Sequence, residues 1–262
     1  MSRAGRFGTA ALATVTGLVL LAAVLLSVTW LLSDTTTSAD TVEGVTQVDV
    51  RVGNGDVELI GSDRADVGVE LVQADAPLHK PEITVRRDGE RLLVVGTCRK
   101  RFGPLGFGTC RTDVRLSLPA TVTAVVHSQS GTVAATGLRA GTRLTTDNGP
   151  VRVAAQSGDL QVSTLDGSVE VRDLSAPTAD VRAPDGRIDV IVTTPGPTLA
   201  LTTDGGRVQV TLPPGGYALD AETGKGRLNL AAGISNDPAS SNKLVIRTGG
   251  GSFTARVSAV LG

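Results

Sequence analysis

Cys98 and Cys110 bracket the one stretch of this chain where cations and apolar rings coincide: Arg99, Lys100, Arg101, Phe102 and Phe107, with Arg111 just beyond. Cations beside insertable rings suit an anionic partner, such as lipid headgroups or envelope polymers, through charge and ring burial together. The same residues also describe a solvated hairpin tip whose phenylalanines fold back on the domain. Two cysteines this close, between two strands and in an oxidising exterior, are expected to form a disulfide that staples the loop. A free pair or a metal pair are the alternatives, and no His or further Cys lies nearby to complete a tetrahedral site.

Carboxylates offer a second possible chemistry. Asp147, Asp166, Asp185 and Asp204 recur at a spacing of 19 residues, so stacked repeats would align them along one edge, where Ca²⁺ finds several oxygen ligands. The plainer account is turn chemistry, since Asp just before Gly favours a corner, and the nonapeptide of calcium-binding β-rolls is absent. His79 and His127 are the two histidines, and His127, next to inward Val126, is expected to point outward. Neither has a nucleophile that the sequence pairs with it. There is no Gly-x-Ser-x-Gly elbow, phosphate loop or His-Glu-x-x-His segment, so hydrolase, nucleotide and zinc-protease readings lack their residues. A carbohydrate-active enzyme, lyase or glycosidase, remains the enzymatic alternative because a carboxylate pair need not be adjacent in sequence. The aromatic platforms usual in sugar clefts are scarce, with Tyr217 the only Tyr and Trp30 the only Trp. The expectation is a non-enzymatic module with no cofactor and no resident metal.

The elements that would position these residues are read from a glycine pattern. Gly55, Gly131, Gly149, Gly158, Gly167, Gly186, Gly206, Gly226 and Gly251 each precede an alternating triplet, such as Val151 and Val153 after Gly149 or Ile188 and Val190 after Gly186. An apolar residue stands five positions before most of them, as at Val126, Leu144, Val181 and Leu201. Period-2 alternation puts the apolar pair on one face and a polar residue, Arg152, Glu170, Asp189, Gln209 or Asn229, on the other. The glycine is expected to supply a positive-φ corner. The unit is strand, turn, strand, at about 18 to 20 residues through the C-terminal half, which marks a solenoid or stacked array. One unit offers few inward side chains, worth about 1.5–3 kcal/mol each when buried, against about 1–2 kcal/mol of backbone ordering per residue. Single units therefore cannot fold alone. The expected fold is all-β, a right-handed β-helix-like solenoid, with a β-sandwich of hairpins as second choice. Residues 45–118 form an irregular cap and first rungs, with strands at Val45–Val52, Val67–Val72, Ile83–Arg87, Leu92–Val95 and Val114–Leu118 and a turn at Asp88-Gly89. Residues 119–258 form the regular repeats.

Upstream, residues 9–32 contain 24 consecutive positions without a charge, enough at about 1.5 Å per residue to cross a ~30 Å hydrocarbon core with some tilt. Arg3 and Arg6 precede the run and Asp34 and Asp40 follow it, which places residues 1–8 in the cytoplasm and the domain 45–262 outside as a single-pass membrane protein. A cleaved signal with Thr37-Ser38-Ala39 as its weak site is the competing reading, and both export the rest. With no cysteine just after the apolar run, a lipoprotein anchor is ruled out. Residues 33–44, rich in Thr, Ser and Asp, read as a solvated extracellular linker. A net charge of −1 with 19% charged residues provides no clustered basic surface for nucleic acid. Aromatics at 2% require a core of Val, Leu, Ile and Ala, which suits many similar short strands.

The run Leu118-Pro119-Ala120 into Val125-Val126, followed by Ser130-Gly131-Thr132-Val133, Ser157-Gly158-Asp159-Leu160 and Asp166-Gly167-Ser168-Val169-Glu170-Val171, resembles the bacterial putative-adhesin family, head GIN domain-like. The resemblance spans Val45 to Val257. It implies a membrane-anchored or secreted β-helix domain of the cell envelope that serves as an adhesin-like binding or scaffold module. Its partners would be the membrane, an envelope glycan, anionic lipid or a membrane protein, with an accessory role in envelope-stress signalling as a further possibility. The motif is a structural repeat, so it speaks to fold more than to function.

Overall fold

In a computed structural model the described residues are 35–74, 79–100, 110–196 and 198–258. The stub 1–8 and the apolar run 9–32 lie outside them. No helix among the described residues is long and apolar enough to cross a membrane.

The chain begins with β1 (Thr35–Glu43), β2 (Gln47–Asn54), β3 (Val57–Ser62), β4 (Asp66–Ala74), β5 (His79–Asp88), β6 (Arg91–Lys100) and β7 (Arg111–Pro119). A regular series follows: β8 (Thr123–Ser130), β9 (Val133–Thr136), β10 (Thr142–Asn148), β11 (Val151–Ala154), β12 (Leu160–Asp166), β13 (Val169–Leu174), β14 (Thr178–Arg182), β15 (Arg187–Val192), β16 (Thr198–Thr203) and β17 (Arg207–Leu212). The last strands are β18 (Gly215–Glu222), β19 (Arg227–Leu230), β20 (Ile234–Asn236), β21 (Lys243–Thr248) and β22 (Ser252–Val257). They form two eleven-stranded sheets, which we call the first and the second. The first runs β1, β4, β7, β3, β9, β11, β13, β15, β17, β22, β19, and the second runs β5, β6, β2, β8, β10, β12, β14, β16, β21, β18, β20.

Each repeat contributes one strand to each sheet, paired parallel to the next repeat. Inward side chains of the second sheet, such as Val126, Leu144 and Leu201, join those of the first, such as Val151, Ile188 and Val210, in one aliphatic cluster. The triplets thus bury the residues that alternation assigns to the core, and each rung is completed only by its neighbours.

Neighbours in space are not always neighbours in sequence, and this corrects the expectation of a simple sequential stack. The rung β2–β3 lies between β6–β7 and β8–β9, although both come later in the chain. At the other end β21–β22 lies between β16–β17 and β18–β19. The triplets are too alike for sequence to distinguish these orders.

The glycines show the spatial order directly. A Cβ added at Gly131, Gly149, Gly167, Gly186, Gly206, Gly251 or Gly226 would lie well under 3.0 Å from the carbonyl oxygen of a glycine in the adjacent rung: Gly55, Gly131, Gly149, Gly167, Gly186, Gly206 and Gly251 respectively. This column passes from Gly206 to Gly251 and then back to Gly226, as the strands do. Positive φ accounts for Gly55, Gly131 and Gly149 but not for Gly167, Gly186, Gly206, Gly226 or Gly251. At those five the close approach of the neighbouring backbone excludes a side chain.

Of the expected solvated linker 33–44, residues 35–43 are a strand instead. β1 pairs antiparallel with β4 over its whole length, from Thr35 against Ala74 to Glu43 against Asp66. Its side chains from Thr37 to Asp40 are exposed, and only Val42 packs against the core, so the ladder of backbone hydrogen bonds does most to order this strand. The triplet after Gly226 is the second difference. Leu228 and Leu230 pair in register with buried Phe253 and Ala255, yet they are 38% and 37% exposed. β19 is the last strand of its sheet, and no further rung covers them.

Candidate functional site

The outward face of the second sheet carries two open grooves. One, of about 600 Å³, runs across the first residues of β8, β10, β12, β14 and β16. Its carboxylates are engaged: Asp159 accepts hydrogen bonds from the Thr178 backbone N–H and hydroxyl, and Asp180 pairs with Arg182 at 2.7 Å. The other groove, of about 360 Å³, lies at the foot of the cysteine loop and is lined by Arg51, Asn54, Thr97, Cys98, His127 and Gln129 among others. Three neighbouring parallel strands, β6, β2 and β8, build it. Register places Arg51 between Val95 and His127, and His127 is exposed as alternation requires.

Beneath Arg51 is a carboxylate that sequence reasoning missed. Alternation places Asp49, between Val48 and Val50, outside, yet its side chain is only 3% exposed. Arg51 covers it from two residues along the same strand, at 3.0 Å, and Arg91 from β6 adds a second ion pair. The signal was the acid two places before an arginine, a pairing repeated at Asp180 and Arg182. Burial pushes the Asp49 carboxyl up, but hydrogen bonds from Arg51 and Arg91 and their charges more than offset this, so it titrates below the ordinary value of 3.8. Because its folded-state pKa is depressed, this stabilisation is fully present above about pH 4 and is lost as pH falls through the folded value. Both arginines are partly exposed, which screens the pair. Asp49→Asn is expected to cost about 2 kcal/mol at neutral pH and to flatten the acid side of the stability–pH curve. Urea unfolding at pH 7 and pH 3 checks this: an equal cost at both would show that the pair contributes through shape alone.

Cys98, in β6, and Cys110, just before β7, form a disulfide with Cα atoms 5.9 Å apart. β6 and β7 belong to different sheets, so the bond ties the two sheets together at the second-sheet groove. Arg99 and Lys100 lie within β6, their backbones paired with Lys80 and His79. Their side chains, with Arg101, Phe102 and Phe107, lie outside the described residues. Arg111 is committed elsewhere. It pairs with Asp113 at 2.7 Å and with Asp56, whose carboxylate also accepts from the Thr132 N–H at 2.8 Å. Arg111 thus holds β7 to the corner before β3 and β9 and is half-exposed.

The aspartate series does not form a column. Thr142 pairs with Leu160, Leu160 with Ala179, and Thr178 with Thr198, so the rungs lengthen by one residue at each step while the aspartate spacing stays constant. Asn148, not Asp147, stands opposite Asp166, and the Asp204 N–H bonds to the Pro184 carbonyl. Among the described residues no group of three or more potential metal ligands comes together.

A family model described as Toastrack DUF4097 matches residues 45–260. No curated protein matches the chain. Among solved structures, it is similar to one named "putative cell adhesion protein" from Clostridium sporogenes, at 13% identity over 86% of this chain and 100% of that one, with a TM-score of 0.40. It is similar to a "putative adhesin" from Bacteroides fragilis at 12% identity, over 86% of this chain and 97% of that one, with a TM-score of 0.45. A "putative lipid binding protein" from Parabacteroides distasonis shares 8% identity over 85% of this chain and 96% of that one, with a TM-score of 0.31.

Proposed function

The chain belongs to the Toastrack DUF4097 family, and from that premise we propose that it is a non-catalytic binding module. The apolar run 9–32 would hold it at the outer side of a bacterial membrane, and it would meet an anionic partner through the disulfide-closed loop and the groove at its foot. The partner is a phosphate- or carboxylate-bearing envelope polymer or an anionic lipid headgroup.

What supports this reading above all is the contrast between interior and rim. The inward positions of both sheets are filled mainly with aliphatic side chains from Val48 to Ala255, joined by Tyr217, Phe253 and several buried threonines. At one end of the column the Cys98–Cys110 disulfide closes a segment whose sequence carries Arg99, Lys100 and Arg101, and Cys98 itself lines an open groove with Arg51 and His127. Closing the loop limits the conformational entropy its cations would lose on engaging a surface.

The full-length chain in neutral-lipid nanodiscs, titrated with phosphatidylglycerol vesicles and separately with purified anionic wall polymer, tests the proposal and separates the two sources. Each cation near an anionic surface is worth about 1 kcal/mol, so the combined Arg99→Gln, Lys100→Gln and Arg101→Gln variant should bind roughly a hundredfold more weakly. Binding should also weaken as salt rises. If the wild-type chain binds neither probe, or the triple variant binds as well as the wild type, the proposal fails.

A further inference from the structure

Along the outward face of the first sheet the early rungs set opposite charges against each other. Glu58 stands opposite Arg115 and pairs with it at 2.7 Å, and Glu170 stands opposite Arg152 and pairs with Arg172 as well. The late rungs do the reverse. Arg187 stands opposite Arg207, Arg207 opposite Ser252, and Ser252 opposite Arg227. All three arginines are exposed, and none has an ion pair or hydrogen bond among the described residues. Arg86 and Arg143 are also unpaired, but they stand opposite uncharged residues: Leu93 for the first, Val125 and Gln161 for the second.

Like charges in directly opposed positions are destabilising, and nothing in these strands relieves them. Asp189 is the one carboxylate on β15, β17, β22 and β19, and it stands opposite Glu170 and Gln209 rather than an arginine. Arg256 adds a further cation to the same outward face, beyond Ser252 on β22. Parallel strands lie about 4.8 Å apart, so Arg187, Arg207, Ser252 and Arg227 form a row of donors about 14 Å long that runs along the column. The residues just before them are Gly186, Gly206, Gly251 and Gly226, packed backbone on backbone. No side chain at those positions crowds the row.

We propose that this row binds a linear polyanion: a phosphodiester polymer laid across the strands, its charges against Arg187, Arg207 and Arg227, with the Ser252 hydroxyl donating between them. A guanidinium presents a planar fork that suits phosphate oxygens, and two of them one strand spacing apart can share a single phosphate. The polymer supplies the negative charge that the opposed arginines lack within the chain. A row answers a chain rather than a bilayer, because its cations follow a line on the flank of the column, whereas a membrane surface meets a broad basic patch. The near end of the row lies five strands from β7, where the disulfide sits, which is about 24 Å along the column. It is therefore a second site, and it does not depend on what the cysteine loop binds.

A glycerol-phosphate oligomer tests the site on the full-length chain in neutral-lipid nanodiscs, with a fluorophore on Asn229→Cys, an exposed position two residues from Arg227, reporting from beside the row. The signal should saturate with the oligomer and persist in the Arg99→Gln, Lys100→Gln, Arg101→Gln variant. The combined Arg187→Gln, Arg207→Gln and Arg227→Gln variant should need roughly a hundredfold more oligomer, and its affinity should depend less on salt, with the log–log slope lower by about 2. Inorganic phosphate alone should bind far more weakly than the oligomer. With no ligand present, Arg207→Gln should raise the melting midpoint by about 1–2 °C at low salt, because it removes the opposed pair. The proposal is overturned if the oligomer leaves the signal unchanged, if the arginine variant binds as tightly as the parent, or if the signal is lost only with the loop cations. A lowered midpoint for Arg207→Gln would overturn it as well, since the row would then be serving the fold.

Discussion

Gly186→Ala is expected to destabilise the column by about 3 kcal/mol or more. The added Cβ would fall on the carbonyl oxygen of Gly167 and also within 3.3 Å of the Ala183 Cβ. Neither can move cheaply. The obstructing atom is backbone, and β15, which follows Gly186, is held by parallel ladders to β13 and β17. Relief would require β14–β15 to slide relative to the rungs on both sides, which costs ladder hydrogen bonds and offsets inward Ile188 from Val169 and Val208. Because each rung is stabilised mainly by its neighbours, the damage should appear as a broadened unfolding transition as well as a lower midpoint. Gly205→Ala is the internal control. It is one residue from Gly206, has no positive φ, and a Cβ there meets nothing within 4 Å. Chemical denaturation of both variants decides the matter: if their costs agree within about 0.5 kcal/mol, the glycine column is not a close-approach device.

Removing the disulfide should be nearly as costly. The bond closes a loop with a sequence separation of 12, for which chain-entropy arguments give about 3 kcal/mol. Its position concentrates the loss at one end. β6 and β7, which it joins, are the rung beyond β2–β3, and Cys110 is itself buried. A Cys98→Ala, Cys110→Ala double variant should therefore lose protection first in β5, β6 and β7, while the rungs from β10 to β17 exchange their amide hydrogens as before. Wild-type protein in reductant should behave as the double variant does. If the two match the oxidised wild type in melting temperature, the bond is not stabilising, and its place in the loop must be explained by binding alone. If the loop binds as proposed, affinity should fall with the same substitutions, because an open loop pays more entropy to engage.

Much of this architecture was legible before any coordinates. Alternation after each glycine assigned Val151, Val153, Ile188, Val190, Val208 and Val210 to the interior, where they are buried, because inward and outward positions in a strand differ by nothing subtler than water exclusion. The Cys98–Cys110 bond was legible for a similar reason, since two cysteines flanking strands that must meet have little choice of partner. Rung order was hidden, because Val57, Val133 and Val169 are interchangeable as local signals and only the backbone contacts among the glycines reveal which unit lies on which. Within the expected linker, residues 35–43 form a strand because β1 is held chiefly by its backbone ladder to β4, which sequence composition does not report. Asp49 was missed because a two-state alternation has no category for an outward acid covered by its own arginines. The aspartate spacing misled for an arithmetical reason: a constant interval drifts across rungs whose lengths change.

The displaced rungs at the two ends bear on how the molecule can be made. A ribosome delivers β18 and β19 before β21 and β22, yet the later pair occupies the slot between the earlier pair and β16–β17. Translation therefore cannot complete this column by simple accretion. β18 and β19 must wait off the growing stack, or dock there and be displaced, until Lys243–Val257 has emerged. The same holds at the start of synthesis, where β2–β3 acquires its flanking rungs only after Pro119 and then Thr136 have left the exit tunnel. A message truncated after Leu230 would thus yield a column closed by the wrong rung, with the slot meant for β21–β22 never opened.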